Sequence, residues 1–599
     1  MKKLIALLLV AVMALALVAC GGNTAPATTT PNATNGTETA MTPEEVEAAQ
    51  AEIRYALGLL YDRNYIVEKI AQGGQTPAAS FVADGMADAN GGNFAINAGK
   101  GEGKGYYSVA AEDFEANFTE AVEILKKYYT YDEATGMFTN FPTLTYLYNT
   151  SEAHKAIGEY LQRALNSVGI TMNMENQEWA TFLNTRKDGQ FSVARNGWVA
   201  DYTDPICFLD MWITESGNND VQFGKGAHKD LKMYNLDLTS YGYDIKVTNG
   251  TWAETYDVLI KEIKACTDSE TRFAMMHLAE DMLMATGCLT PIYYYTDLYM
   301  ASEKIEGFYS IPLGYKFFQY TTVEGKGDSL PVCLASEPDT IDPALNSAVD
   351  GATRLCHLFS GLAKWVQNED GTLSVVADCA KELVEGVANE DGTVTYTYTL
   401  KDGLKWSDGQ ALTAKDFEFA WKRAASADLG ADYGYMFDVI KGYTDGALAV
   451  EATDDKTLVV TLSNAVAYWN ELLAFPTYFP VREDVVASEN WATEAATYVC
   501  NGAYTISAWE HDSVITLTKN ENYHDAAAVT MNEIKFYLSD DANNMLTNFK
   551  KGDWLLIDDI PTNEIAALKT EYPEEFVIAG QIGTYYVCWN VNEALLPKA

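Results

Sequence analysis

Positive charge is scarce in this chain: 41 Lys and Arg stand against 84 Asp and Glu, a formal net charge of −43 across 599 residues. A phosphate backbone is gripped by clustered Lys and Arg, so nucleic acid is excluded as a partner. The same sign removes electrostatic attraction to an anionic membrane surface, and the surplus acid reads as solubilising surface charge. Histidine is scarce too. Its six positions (154, 228, 277, 357, 511 and 524) include no i, i+4 pair, and the nine Cys include no CxxC or Cys/His ligand spacing. No metal site is therefore expected. HExxH, GxSxG and SxxK are all missing, which disfavours an enzyme. The Gly-rich stretch FAINAGKGEGKGYYS at 94–108 fits neither GxGxxG nor a P-loop and reads as a connection. No cofactor is called for.

The N-terminus carries the most specific local signal. Lys2 and Lys3 precede an apolar run from Leu4 to Ala19, and LVACGG follows at 17–22. A charged start, an apolar middle and small residues before a break describe a secretory signal, here residues 1–19. LVAC also resembles the lipobox of bacterial lipoproteins, which implies Cys20 as a lipidated anchor holding the protein to the membrane from outside the cytoplasm. Residues 20–40, rich in Thr, Ala, Pro and Asn, cannot bury a core and read as a flexible tether. About 20 such residues span on the order of 25 Å as a coil. The other eight Cys, from Cys207 to Cys588, fit disulfides of unreadable connectivity or buried free thiols equally well.

From Met41 the chain reads as globular, 48% hydrophobic and 21% charged overall. Thr42-Pro43-Glu44 is a helix start, followed by Ile53, Leu57 and Leu60 at helical spacing. Leu144, Tyr146 and Tyr148 alternate as a strand. Thr150 or Ser151 then caps a helix with Ile157, Leu161, Leu165 and Val168 on one face, ended by Gly169. Ile170, Met172 and Met174 form a second strand, Trp179, Phe182 and Leu183 a short helix, and Phe191 and Val193 open a third strand. Strand–helix–strand units with short links predict parallel pairing. Further on, 394–400 alternates as a strand, Thr413 caps a helix bearing Phe417, Ala420 and Trp421, and 501–524 reads as a hairpin.

Taken together, these passages resemble the large solute-binding proteins of peptide-importing ABC transporters, the oligopeptide-binding family. SEPDTIDPAL, YTLKDGLKWSDGQALTAKDFEFAWKR, NGAYTIS and KNENYH resemble its N-terminal half. RYALGLLYDRNYIVEKI, LYNTSEAHKAIGEYLQ, NQEWATFLNTRKDGQFSVARNGWVADYTDP and PIYYYTDLYM resemble its C-terminal half. The resemblance implies an α/β, two-lobed periplasmic-binding-protein-like fold of the large peptide-binding class. Its halves stand in reversed order. A strand like YYVCWNVN precedes a helix like RYALGLLYDR in the family, whereas here it lies near residue 590 and the helix near residue 54. The expectation is a circular permutation, cut after Leu596 and joined near 324–328; a rearranged chain that does not fold and halves pairing between two chains are the other accounts. One lobe is expected at 41–290, completed by 588–599, and the other at 291–587, with hinge strands near 586–590 and 288–294.

FSVARNGWVADYTDP is the best candidate site. A strand ending in open backbone can pair with an extended peptide, and the peptide's two ends then need opposite charges. The resemblance implies that Asp201 takes the peptide ammonium, that Gly197 and Val199 pair with its backbone, and that Arg186 and Arg195 meet its carboxylate. It also places Glu337 of SEPDTID along the cleft. Competing roles are a turn cap for Asp201, ion pairing for the two arginines and core packing for Trp198. The expected partners are short peptides and ABC permease subunits, bound by a monomer. Rival readings are a non-peptide ligand such as an oligosaccharide, nickel chelate or opine, a peptide-sensing receptor, and, least favoured, an exported hydrolase.

Overall fold

A computed structural model describes residues 41–325 and 327–597. The signal-like leader, Cys20 and the tether lie outside the described residues. Helix α1 (Pro43–Leu59) opens with Glu44 and Glu45 in its first turn, where acids complement the helix dipole. It buries Ile53 and Leu57 beside a fully buried Arg54, whose guanidinium sits 2.8 Å from Glu47 and donates to the Thr286 carbonyl at 2.7 Å. The far end of the chain packs on the same helix. The Leu595 amide donates to Gln50 Oε1 at 2.9 Å, and the Tyr129 hydroxyl to the Leu595 carbonyl at 2.8 Å.

The main sheet has eleven strands. In chain order these are β1 (Thr76–Pro77), β2 (Leu144–Asn149), β3 (Met172–Gln177), β4 (Val193–Val199), β5 (Leu289–Ala301), β6 (Ser329–Ala335), β7 (Tyr504–Glu510), β8 (Val514–Lys519), β9 (Glu533–Leu538), β10 (Leu556–Ile557) and β11 (Phe576–Trp589). They lie in the order β7-β8-β9-β6-β10-β5-β11-β4-β2-β3, with β1 on β5. Helix α2 (Glu152–Asn166) links β2 to β3 and is capped by Ser151 Oγ. Ile157, Leu161 and Leu165 are buried on its inner face, each contributing roughly 1.5–3 kcal/mol. Gly169 ends the link with φ +84°, and a side chain there would strike the Phe138 carbonyl. Helix α3 (Trp179–Lys187) then leads into β4. As the sequence predicts, β2 pairs parallel with both β3 and β4.

Two strands bind the sheet's halves together. β5 and β11 have 13 and 14 residues and pair antiparallel along their length. Residues 289–294 pair with 584–588, and 296–300 with 576–580, so the ladder shifts across Tyr295 and 581–583. On one side of that shift β11 also pairs with β4, which leads on to β2 and β3; on the other, β5 pairs with β10, which leads to β6, β9, β8 and β7. The change of partners thus falls in mid-strand on both β5 and β11.

The strand Val394–Thr399 belongs to a separate four-stranded sheet. Helix α4 (Ala414–Ala424) carries a capping box between Thr413 and Asp416, and β7–β8 is the expected hairpin, at the sheet edge. The eight cysteines from Cys207 to Cys588 are unpaired, and all but the half-buried Cys356 are buried.

Candidate functional site

A cavity of about 440 Å³ opens between the two halves of the sheet, lined from one by Arg195, Gly197 and Asp201 and from the other by Tyr433, Phe475 and Asp558. Its size is that of an ordinary ligand pocket. β4 forms one wall. Residues 195, 197 and 199 are half-buried while 194, 196 and 198 are buried, so alternation aims Arg195, Gly197 and Val199 at the cavity. β2 pairs with β4 only at Val193 and Ala194, which leaves that edge of the strand without a strand partner from Arg195 onward. A side chain at Gly197 would have to displace the Tyr295 hydroxyl, which lies over its Cα.

Asp201 lies two residues beyond β4, and the Ala200 amide before it is tied to the Ile582 carbonyl at 2.8 Å. Asp201 is only 7% exposed. Its Oδ1 accepts from the Tyr433 hydroxyl at 2.9 Å, while its buried Oδ2 has no hydrogen-bond partner. Burial pushes this carboxyl well above the usual carboxylate range; the Tyr433 hydrogen bond opposes the shift and the nearby Asp210 adds to it. The competing role of turn cap falls instead to Asp204, which accepts from the Ile206 amide at 3.0 Å and pairs with Arg272 at 2.8 Å.

The two arginines differ. Arg186 pairs with Asp220 at 2.8 Å, and Asp220 also accepts from Asn196 at 2.9 Å. Arg195 has no carboxylate partner among the described residues; its Nη2 lies 3.4 Å from the Tyr295 hydroxyl, and its guanidinium sits 5.3 Å from the Tyr585 ring centre. Burial and the Arg195 cation together hold His154 well below its usual range, as a neutral ring. Trp198 lines the cavity but is buried, with its indole N–H given to the Cys207 carbonyl at 3.0 Å.

Glu337 stands apart. It does not line the cavity. Its carboxylate accepts from Trp509 Nε1 at 2.9 Å and the Asp512 amide at 2.9 Å, and contacts His511 Nδ1 at 2.8 Å, which ties the SEPDTID loop to the β7–β8 turn. Cavity residues that no local sequence motif marks include Tyr433, which holds Asp201 from the far half, and the adjacent Asp558 and Asp559.

Fold and cavity together define a two-lobed α/β solute-binding protein. The chain belongs to the bacterial extracellular solute-binding proteins, family 5, whose profile matches residues 30–220 and 378–598. It is 36% identical over 273 residues to the oligopeptide-binding protein OppA of Bacillus subtilis, covering 41% of this chain and 48% of that protein. It is 30% identical over 274 residues to a probable deoxycholate-binding periplasmic protein, YgiS, of Escherichia coli, covering 43% and 49%. Among solved structures, the substrate-binding domain of an oligopeptide ABC transporter from Bacillus anthracis aligns at 28% identity with a TM-score of 0.36, over 38% of this chain and 45% of that one. The matches span about half the length of these relatives.

Proposed function

We propose that this protein captures short peptides between its two lobes and delivers them to an ABC importer, as a receptor and not a catalyst. The observation that carries this is the half-satisfied Asp201 carboxylate. A buried polar atom left unpaired costs roughly 1–3 kcal/mol, and a peptide α-ammonium would supply the missing donor to Oδ2. The relatives point the same way: OppA of Bacillus subtilis is named as oligopeptide-binding.

Arg195, a cation without a carboxylate, lines the same cavity and suits the other end of the ligand. Six residues of mostly extended chain separate it from Asp201, on the order of 20 Å, a distance that about six extended peptide residues span at roughly 3.3–3.6 Å each. Between them, Gly197 and Val199 on the open edge of β4 offer backbone pairing that does not depend on side-chain identity. The lobes are assigned as 41–290 with 588–599, and 291–587, with β5 and β11 as the hinge. The protein acts as a monomer, anchored through lipidated Cys20.

Calorimetric titration with trialanine and N-acetyl-trialanine tests the reading. Binding of the first, and its weakening on acetylation, is expected; equal binding of both would remove Asp201 as the ammonium site, and no binding by any peptide would remove peptides as the ligand class.

The reversed order of the halves is read as a circular permutation. The hydrogen bond between Leu595 and Gln50 supports it, since a strand leading into α1 across a short loop would place those residues together. A chain running 328–597 and then 43–323 should fold and bind the same peptides. A chain that folds only in its present order would overturn this.

A further inference from the structure

The two lobes also meet through their own side chains, and one segment of the second lobe reaches the first at three points. Its short turn Gly434–Val439 is fixed in its own lobe: Phe437 stacks on Tyr478 with ring centres 4.3 Å apart, and the Tyr478 hydroxyl donates to the Met436 carbonyl at 2.8 Å. From this base Asp432 pairs with Lys187, which also donates to Ser347. The Tyr433 hydroxyl reaches Asp201 at 2.9 Å, and Asp438 pairs with Lys264 at 2.7 Å. Tyr202 and Tyr468, one from each lobe, are buried and stacked, with ring centres 4.4 Å apart and planes 7° from parallel. Glu471 accepts from the Thr203 amide at 2.7 Å and from its hydroxyl at 2.6 Å.

Lys264 is shared between the lobes. Its ammonium lies 2.9 Å from Asp210 of its own lobe as well as against Asp438, and its side chain is only 10% exposed. Burial would push this amine down, but the two carboxylates outweigh it and hold the amine above its usual range. The Lys264 carbonyl also accepts from Asn464 of the second lobe at 2.8 Å. Parting the lobes would leave Lys264 with Asp210 alone, take Lys187 from Asp432 and turn two aromatic faces to water. Domains move relative to each other unless a substantial interface joins them; this one combines buried aromatic stacking with opposed charges from both sides.

We propose that these contacts form a latch, centred on Lys264, that holds the lobes together whether or not the cavity is filled. Opening is then the step that an arriving ligand waits for, because only parted lobes admit it, and the rate of entry follows the fraction of molecules that are open. The proposal rests on the assignment of the lobes and not on the ligand being a peptide, since every partner in the latch is a residue of this chain.

Small-angle X-ray scattering on the ligand-free protein and on Asp432→Asn/Asp438→Asn tests it. Both substitutions keep the side-chain shape and remove the charge, and neither residue lines the cavity. The double variant is expected to have the larger radius of gyration, with its far-ultraviolet circular dichroism unchanged; a radius no larger than that of the wild type would overturn the latch. Asp432→Asn and Asp438→Asn measured singly give the same comparison should the double variant fold poorly. In stopped flow, trialanine should both enter and leave the double variant at least about fivefold faster than the wild type, and unchanged rates would likewise overturn the latch. Failure of trialanine to bind either protein would count against the peptide reading alone, with the scattering still deciding the latch.

Discussion

Asp201 and Glu337 are both carboxylates that the sequence nominates, and the folded protein treats them oppositely. Glu337 has three nitrogen partners within 2.9 Å, all from the β7–β8 hairpin it secures. Asp201 is more deeply buried, has one partner on one oxygen, and faces a cavity. The arginines repeat the contrast, for Arg186 is answered by Asp220 whereas Arg195 is answered only by tyrosines. A satisfied charge contributes to the architecture. An unsatisfied one, held in place by the rest of the fold, is available for a ligand.

The largest expected effect tests the ion-paired arginine. Arg186→Met leaves Asp220 buried without its cation, the side chains being 9% and 5% exposed, and should cost about 3–5 kcal/mol of stability in chemical denaturation. A loss near zero would mean that Arg186 and Asp220 are not a structural pair.

Asp201→Asn comes next. It should weaken binding of peptides with a free amine by about 2–5 kcal/mol and leave N-acetylated peptides unaffected. The sign for stability is opposite. Because the folded-state pKa is raised, ionisation of Asp201 penalises the fold, a cost absent below the unfolded value of about 3.9 and growing as pH rises toward the folded one. The ligand-free variant should therefore become the more stable of the two as pH rises above about 4. The groups that face this carboxyl (Tyr433, Asp210, Tyr315, Tyr435 and Cys207) include no cation, so peptide binding should release a proton. Calorimetry in buffers of different ionisation enthalpy would detect it.

Arg195→Met should reduce affinity for free-carboxylate peptides about tenfold relative to their C-terminal amides, with little change in stability. Smallest of all, Glu337→Gln should cost about 1 kcal/mol of stability and leave peptide affinity unchanged; a loss of affinity would return Glu337 to the cleft.

How much of this could be read from the sequence follows from the range of the interactions. The β2–α2–β3 unit was legible because alternation, the Ser151 cap and the closing Gly169 all act within a few residues. The capping box of Thr413 and Asp416 is equally local. Gly197 through Asp201 was legible as a strand and its tip, but whether Asp201 was capped or free depended on Tyr433, 232 positions away. The fate of Glu337 depended on Trp509, 172 positions away. Asp558 and Asp559 follow a two-residue strand, too short to show any alternation, and nothing nearby announces a cavity.

The paired run of β5 and β11 through both halves of the sheet limits how those halves can move. Sliding one half past the other along the strands would break the ladder on both sides of Tyr295 at once. Twisting about the shifted register at 581–583 strains only a few bonds. Any relative motion of the lobes would thus fall on torsion of this two-stranded ribbon. Tyr295 and Gln581 lie at this register shift and also line the cavity, so a ligand held there would touch the ribbon at the shift.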